Sequence, residues 1–307
     1  QFLPGVPIFW YSVLKIIITG SHGLVGTTLL SVLKSAGNEV TPLVRTGHDG
    51  ILWNPPFEGP NPNAMTGCDA VVHLAGENIG IRRWSTAQKK RLYESRVNAT
   101  RALCQSLVSM DQVPRVLLSA SAIGIYGDQG DELLTEDSPS GDGFLAKMAH
   151  DWEATTMVAQ DAGIRVVHLR FGIILSPKGG ALAKMLTPFK FCLGGRVGDG
   201  CQWWSWVSVS DAVRAILYCL ENESLSGPVN VAAGAETNVD FAKTLGMSLR
   251  RPACFPLPAF MARLILGEMA DALLLASIRV ESRKLREQGF EFKQNQLATA
   301  FKELLPI

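Results

Sequence analysis

No stretch of this chain reaches the roughly 18 consecutive apolar residues of a membrane-spanning helix. The most apolar segment, residues 8–19, is interrupted by Lys15 and runs into a glycine turn. Charge of one sign is also missing: 29 Lys and Arg stand against 28 Asp and Glu, a formal net charge of +1. That balance leaves no electrostatic footprint for nucleic acid or an anionic membrane, and neither is expected as a partner. The six cysteines, at 68, 104, 192, 201, 219 and 254, never stand closer than nine apart. They form no Cys-x-x-Cys pair, zinc spacing or disulfide framework, so a reducing cytoplasm is the expected compartment. The histidines show no metal motif, and no metal is expected. Residues 1–12 lack a basic n-region and an Ala-x-Ala site. Residues 1–14 read instead as a leader or the remnant of an upstream piece. Nothing in the pattern specifies an oligomeric state.

What is present is the composition of a globular fold, 47% hydrophobic and 19% charged over 307 residues, with ample length for a large core. The chain is organised around residues 15–26, KIIITGSHGLVG. Ile16, Ile17, Ile18 and Thr19 read as a short buried strand. Gly20, Gly23 and Gly26 follow in the spacing G-x-x-G-x-x-G, and Leu29, Leu30, Val32 and Leu33 continue at helical spacing. Strand, glycine turn and helix together give the motif its meaning. The first glycine permits the tight turn, the second lets the backbone approach a pyrophosphate, and the third lets helix and strand pack. The N–H groups of the turn, with the positive end of the helix, then face the phosphates.

Residues 39–45, EVTPLVR, read as the second strand. An acidic residue at its end would bond a ribose 2′-hydroxyl, whereas an Arg suits a 2′-phosphate. The strand ends in Arg45, and no Asp or Glu occurs from 40 to 48. NADP is therefore favoured over NAD, with His22 and Thr46 as further donors. Residues 69–76, DAVVHLAG, form a continuous apolar run suited to an interior parallel strand. Further strands are expected at 113–120, 164–169 and 228–232, and helices at 86–110, 144–162, 181–191 and 211–221. This alternation predicts an α/β fold: a Rossmann-type doubly wound parallel sheet with a smaller, mostly helical C-terminal lobe. The nucleotide-binding domain is placed at 15–172 plus about 207–232, and the smaller lobe at about 173–206 plus 233–307. Trp203, Trp204 and Trp206 serve either as core or as the wall of an apolar pocket. Asp211 reads as the cap of the helix after it.

With these residues in hand, the chain resembles a short-chain dehydrogenase/reductase of the extended type. More narrowly it resembles the atypical epimerase group that has carried the label "SulA-like cell division inhibitor". The resemblance covers about residues 15–306. Its marks occur in order: GSHGLVG, DAVVHLAGENI, SRVNAT, SASAIGIYGDQGD, DWE, RFGIILSPKGGAL, GGRVGDGCQWWSWV, LGEMADALLLAS and GFEF. It implies hydride-transfer chemistry built on Ser or Thr, Tyr and Lys. In this sequence the three matching positions hold Ala122, Leu145 and Ala149. Lys147 is two residues off, which turns it about 200° around the helix. Arg96 stands where relatives carry an Asn.

Expected cofactor contacts are the turn Gly20, Ser21, His22, Gly23, Leu24, Val25 and Gly26, the second-strand end Val44 and Arg45, and the third-strand end Leu74, Ala75 and Gly76. Arg96, Ser119, Gly172 and Ile173 complete the set. Glu77 and Tyr126 are the candidate catalytic groups, facing one cleft, with a small molecule as substrate. Two readings stand: an NADP-dependent oxidoreductase or epimerase-like enzyme with an altered catalytic set, or a non-catalytic NADP-binding sensor or partner-binding protein.

Overall fold

The computed structural model describes residues 13–47 and 49–305. The reading of residues 1–12 as a leader lies outside the described residues. In chain order the strands are β1 (Lys15–Thr19), β2 (Glu39–Val44), β3 (Ile51–Leu52), β4 (Ala70–His73), β5 (Val116–Ala122), β6 (Leu133–Leu134), β7 (Arg165–Phe171), β8 (Ile173–Leu175), β9 (Trp203–Ser208), β10 (Gly227–Val231), β11 (Gly234–Thr237) and β12 (Arg279–Val280). Seven of them form one parallel sheet in the order β10-β7-β5-β4-β1-β2-β3. The sheet is buried on both faces, which explains the unbroken apolar runs. Ile16, Ile18, Val72, Leu118 and Val167 point into one core. Their neighbours Ile17, Val71, Leu117 and Val166 point into the other. This is the two-residue period of a pleated strand.

The helices relevant to the site are α1 (Leu24–Ser35), α2 (Thr86–Tyr93), α3 (Ala99–Val108), α4 (Phe144–Ala154), α5 (Met157–Asp161), α6 (Gly180–Lys190) and α7 (Val209–Glu221). The single helix expected at 86–110 is split by a π-helical turn, Glu94–Asn98. The helix expected at 144–162 breaks after Ala154. There the Thr155 and Thr156 hydroxyls donate to the carbonyls of Trp152 and Glu153, at 2.7 and 2.8 Å, and compete with the helix for them. No helix among the described residues is long and apolar enough to cross a membrane.

Beyond β7 the chain builds a second sheet, β11-β9-β8, and a β6–β12 ladder. The tryptophan run is β9 itself. Trp204 and Trp206 are buried, and Trp204 packs edge-on against Phe241 at 5.2 Å, so both belong to the core rather than to a pocket wall. Helix α7 is capped by Ser208, whose hydroxyl accepts the Asp211 N–H. The Asp211 carboxylate instead accepts the N–H groups of Lys293 and Gln294 at 3.2 and 2.8 Å and pairs with Arg214. It pins the C-terminal segment to the sheet domain, which corrects its reading as a cap.

Candidate functional site

Strand order reverses between β1 and β4, the place where doubly wound sheets leave a crevice outside their carboxyl ends. The glycine turn fills the floor of that crevice. Gly20 has φ +69°, and a Cβ on it would stand 2.7 Å from the Leu74 carbonyl carbon. A Cβ on Gly26 would overlap the Gly20 carbonyl and lie 2.9 Å from the Ser21 Cα. Both positions therefore admit glycine alone. Thr19 locks the same junction: its Oγ1 accepts the N–H groups of Leu74 and Ala75, both at 3.1 Å.

Behind it runs a buried chain of side chains. The Thr19 hydroxyl donates to His73 Nδ1 at 2.7 Å, and His73 Nε2 donates to Thr100 Oγ1 at 2.9 Å. Thr100 Oγ1 also accepts the Trp152 indole N–H at 2.7 Å. Since Thr19 Oγ1 already accepts two backbone protons, its own proton goes to Nδ1. That assigns a neutral imidazole protonated on Nε2. Burial pushes the His73 pKa down from 6.5 to about 4. A histidine held neutral in the fold contributes its full stability above the unfolded pKa and loses it as pH falls. Stability is expected to drop by about 1.5 kcal/mol more between pH 6.5 and 5 than in His73→Gln. Urea denaturation of the two proteins at both pH values measures this. An imidazole titrating near its ordinary value by NMR refutes it.

The rim of the crevice is basic and open. Helix α1 carries no acidic residue in its first turn, and its N-terminal end begins at the exposed Gly23. His22 is exposed and shares a 3.3 Å hydrogen bond with the buried Ser21. The β1–β2 register pairs Thr19 with Leu43, which brings Arg45 to the same end of the sheet. Arg45 is exposed and has no hydrogen-bond or ion-pair partner among the described residues. Leu24 meets Gly179 and Gly180 at the start of α6, so the α1 turn and the segment after β8 face each other. Gly172 is closed against the Ser205 carbonyl, and Ile173 is half-buried beside it. Val25 and Val44 are buried and turn inward. Ser119, at the end of β5, is buried, with its hydroxyl donating to the Ala120 carbonyl at 3.4 Å.

Tyr126 is the larger correction. It was expected to face the cleft beside Glu77, but it is fully buried. Its hydroxyl donates to Asn230 Oδ1 at 2.7 Å and accepts from Arg170 Nη1 at 2.9 Å. Burial raises its pKa despite the opposing effect of Arg170 and Asn230, the reverse of what a proton donor beside a cationic ring would need. The Tyr serves a buried network that sequence reasoning missed. Glu153 accepts from Ser121 Oγ at 2.6 Å and from Arg170 Nε and Nη2 at 2.8 and 2.7 Å. Glu153 and Arg170 lie in the DWE and RFG motifs, but the 17 positions between them hide the pairing from the sequence. Of the positions matching the relatives' Ser, Tyr and Lys, Ala122 is exposed at the β5 end, Leu145 packs over Gly124, and Ala149 is buried. Lys147 is held on the surface by Asp151 at 2.9 Å.

Glu77 and Arg96 do lie at the β4 end. The Glu77 N–H donates to Ser95 Oγ at 3.0 Å, and its carbonyl accepts Arg96 Nη2 at 3.0 Å. The Glu77 carboxylate is half-exposed and has no hydrogen-bond or ion-pair partner among the described residues.

A parallel sheet reversing at β1/β4, with a glycine-built turn under an uncapped helix end, defines a Rossmann-type α/β protein. The chain belongs to the NAD dependent epimerase/dehydratase family, whose description fits residues 16–232, while a domain of unknown function (DUF1731) fits residues 257–304. An epimerase family protein of Mycobacterium leprae is 38% identical over 287 residues, covering 92% of this chain and 93% of that one. Epimerase family protein SDR39U1 of Bos taurus is 33% identical over 298 residues, covering 95% and 100%. The crystal structure of human epimerase family protein SDR39U1 (isoform 2) with NADPH has a TM-score of 0.87 at 30% identity, covering 95% of this chain and 99% of that one. A UDP-N-acetylglucosamine 4-epimerase from Bacillus cereus, at 20% identity and TM-score 0.73 over 95% and 98% of the two chains, shares the fold. The cell-division-inhibitor label has no counterpart among these names.

Proposed function

We propose that this protein binds NADP(H) in preference to NAD(H) and acts on a small molecule as an atypical oxidoreductase or epimerase-like enzyme. The observation that carries the reading is the crevice at the β1/β4 reversal. Its floor admits only glycine at positions 20 and 26, and its rim offers Arg45 without a competing acid. The residues fit the dinucleotide: the Gly20–Val25 backbone would hold the pyrophosphate, and Arg45 with His22 and Thr46 the 2′-phosphate. The human relative solved with NADPH supports the choice of cofactor. When bound, the dinucleotide supplies hydride transfer. Of the two expected catalytic groups, only Glu77 has a side chain free to meet a substrate, and we assign it the role of base. The free thiols fit a reducing compartment, which we take to be the cytoplasm.

Removing one charge-assisted bond to a phosphate costs about 1.5–3 kcal/mol, or roughly tenfold or more in affinity. Arg45→Ala is therefore expected to weaken NADPH by at least that factor and leave NADH nearly unchanged. Calorimetry showing equal losses for both cofactors overturns the assignment. The apolar residues at the usual Ser, Tyr and Lys positions favour a second reading, a binding protein without turnover. NADPH oxidation across a panel of carbonyl compounds and sugar nucleotides separates the two: steady turnover abolished by Glu77→Gln supports the enzyme, and none at all supports the sensor.

A further inference from the structure

The carboxyl ends of β4 and β5 carry an apolar face that water reaches. Ile79 and Trp84, after β4, are half-buried, as are Ala120 on β5 and Phe144 and Leu145 at the start of α4. All five pack on one buried cluster that includes Trp152. The Trp84 and Phe144 rings meet edge-on with 5.4 Å between centroids. Leu145 bears on the turn after β5: a Cβ on Gly124 would lie 3.6 Å from its Cβ and Cδ1. Ala122, the last residue of β5, is exposed. The C-terminal segment meets the same place. Lys89 lies 5.2 Å from the Phe144 ring centroid and pairs with Glu268. A Cβ on Gly267 would stand 3.2 Å from Arg83 Nη2. The face thus lies where two parts of the fold come together, a common location for small-molecule sites.

The hydroxyl protons around this face are already committed. Between 119 and 126, Ser119 donates to the Ala120 carbonyl, Ser121 to Glu153 at 2.6 Å and Tyr126 to Asn230 at 2.7 Å. The Trp84 indole N–H goes to the Ile79 carbonyl at 2.9 Å, and the Tyr93 hydroxyl to Asp151 at 3.0 Å. Ala122 and Leu145 offer no polar side-chain atom. What the face touches follows from the direction of the dinucleotide. Arg45 draws the 2′-phosphate to the β2 end, and the pyrophosphate crosses the glycine turn after β1. The sheet order β5-β4-β1-β2 then sends the reacting half over β4 and β5. A ligand meeting that half rests against Trp84, Phe144 and Leu145. A sugar there would leave water without finding partners for its hydroxyls, which is costly. An apolar body gains by the same transfer. We propose that this face binds the apolar ring or chain of a carbonyl compound and selects against sugar nucleotides, with Trp84 and Phe144 as specificity-determining residues. The inference rests on the nucleotide reading of the crevice.

Binding is read by calorimetry on protein loaded with NADP+, the oxidised form, so that a bound ketone is not reduced. Benzylacetone is the apolar probe and UDP-glucose the polar one. Wild type is expected to hold benzylacetone more tightly than UDP-glucose by roughly tenfold or more. Trp84→Ala is expected to weaken benzylacetone by roughly tenfold or more while NADP+ affinity stays unchanged. Trp84→Phe, which keeps an aromatic surface, is expected to restore most of that loss. Ala122 is exposed, so Ala122→Asn tests the face without disturbing its packing. It is expected to weaken benzylacetone by about fivefold or more, because the ligand then covers an amide. Should Trp84→Ala fail to fold, Ala122→Asn decides alone. Three results overturn the proposal: no benzylacetone binding by wild type, UDP-glucose bound as tightly or more so, or benzylacetone bound equally by wild type and the folded Ala variants. A wild type that does not bind NADP+ ends the nucleotide reading alone. The face is then judged by the same titrations on the unloaded proteins, with the same outcomes.

Discussion

Glu153→Ala is expected to destabilise the protein by about 3–5 kcal/mol, the usual cost of stranding one member of a buried ion pair. Glu153 and Arg170 expose only 12% and 9% of their side chains. The carboxylate accepts three hydrogen bonds, two from Arg170 and one from Ser121. Arg170 passes the connection on to Tyr126 and, through it, to Asn230 on β10. The network thus fastens α4 to the adjacent strands β5, β7 and β10. Truncating Glu153 leaves a guanidinium out of water with nothing to neutralise it. The double replacement Glu153→Met with Arg170→Leu is expected to cost less than Glu153→Ala, because apolar side chains need no partner. Urea denaturation of the three proteins checks both statements, and a loss below 1 kcal/mol for Glu153→Ala sinks the argument. The pH dependence has a definite sign. Burial tends to raise the Glu153 pKa, but the bonds and charge of Arg170, with His168 and Ser121, outweigh it and hold the group low. The pair therefore contributes fully above the ordinary carboxylate range and fades as pH falls through the lowered folded-state value. Below that range Glu153→Ala and wild type converge.

The site's floor was legible because it is written in neighbouring residues. Three glycines at fixed spacing between an apolar strand and an amphipathic helix specify one turn, and Arg45 follows from where the next strand stops. The parallel sheet was legible for the same reason, since apolar runs alternating with helical periods leave few topologies. Contacts that depend on distant residues were not legible. Tyr126 looked available because its partners, Arg170 and Asn230, lie 44 and 104 positions away. The Trp203–Trp206 run gave no strand signal separate from its aromatic content, and β9 exists because β8 and β11 pair with it on either side. The π-helical turn was hidden inside a good helical period. Only the three-dimensional position of Gly76 and Glu77 shows what Ser95 and Arg96 are turned toward.

Gly26→Ala and Gly23→Ala are expected to part company, and the difference separates fold from ligand. At Gly26 the added methyl would meet the Gly20 carbonyl and the Ser21 Cα, both backbone. Backbone cannot swing aside, so α1 must lift from β1 and the Thr19–Leu74 junction must open. That places the cost at the upper end of overpacking, about 3 kcal/mol, with NADPH binding lost along with the turn. At Gly23 the methyl would lie 3.1 Å from the Gly20 carbonyl oxygen, tight but relieved by a small shift. The residue has φ −76°, which an L-residue adopts without strain. Gly23→Ala is therefore expected to keep its stability within about 1 kcal/mol of wild type, the range of a site with no large cavity or clash. Gly23 is nonetheless exposed where a pyrophosphate would approach the helix end. Its methyl is expected to weaken both NADPH and NADH by at least tenfold. Thermal unfolding gives the first quantity and calorimetry the second. A Gly23→Ala protein that is folded and binds NADPH like wild type would show that the dinucleotide does not cross this turn.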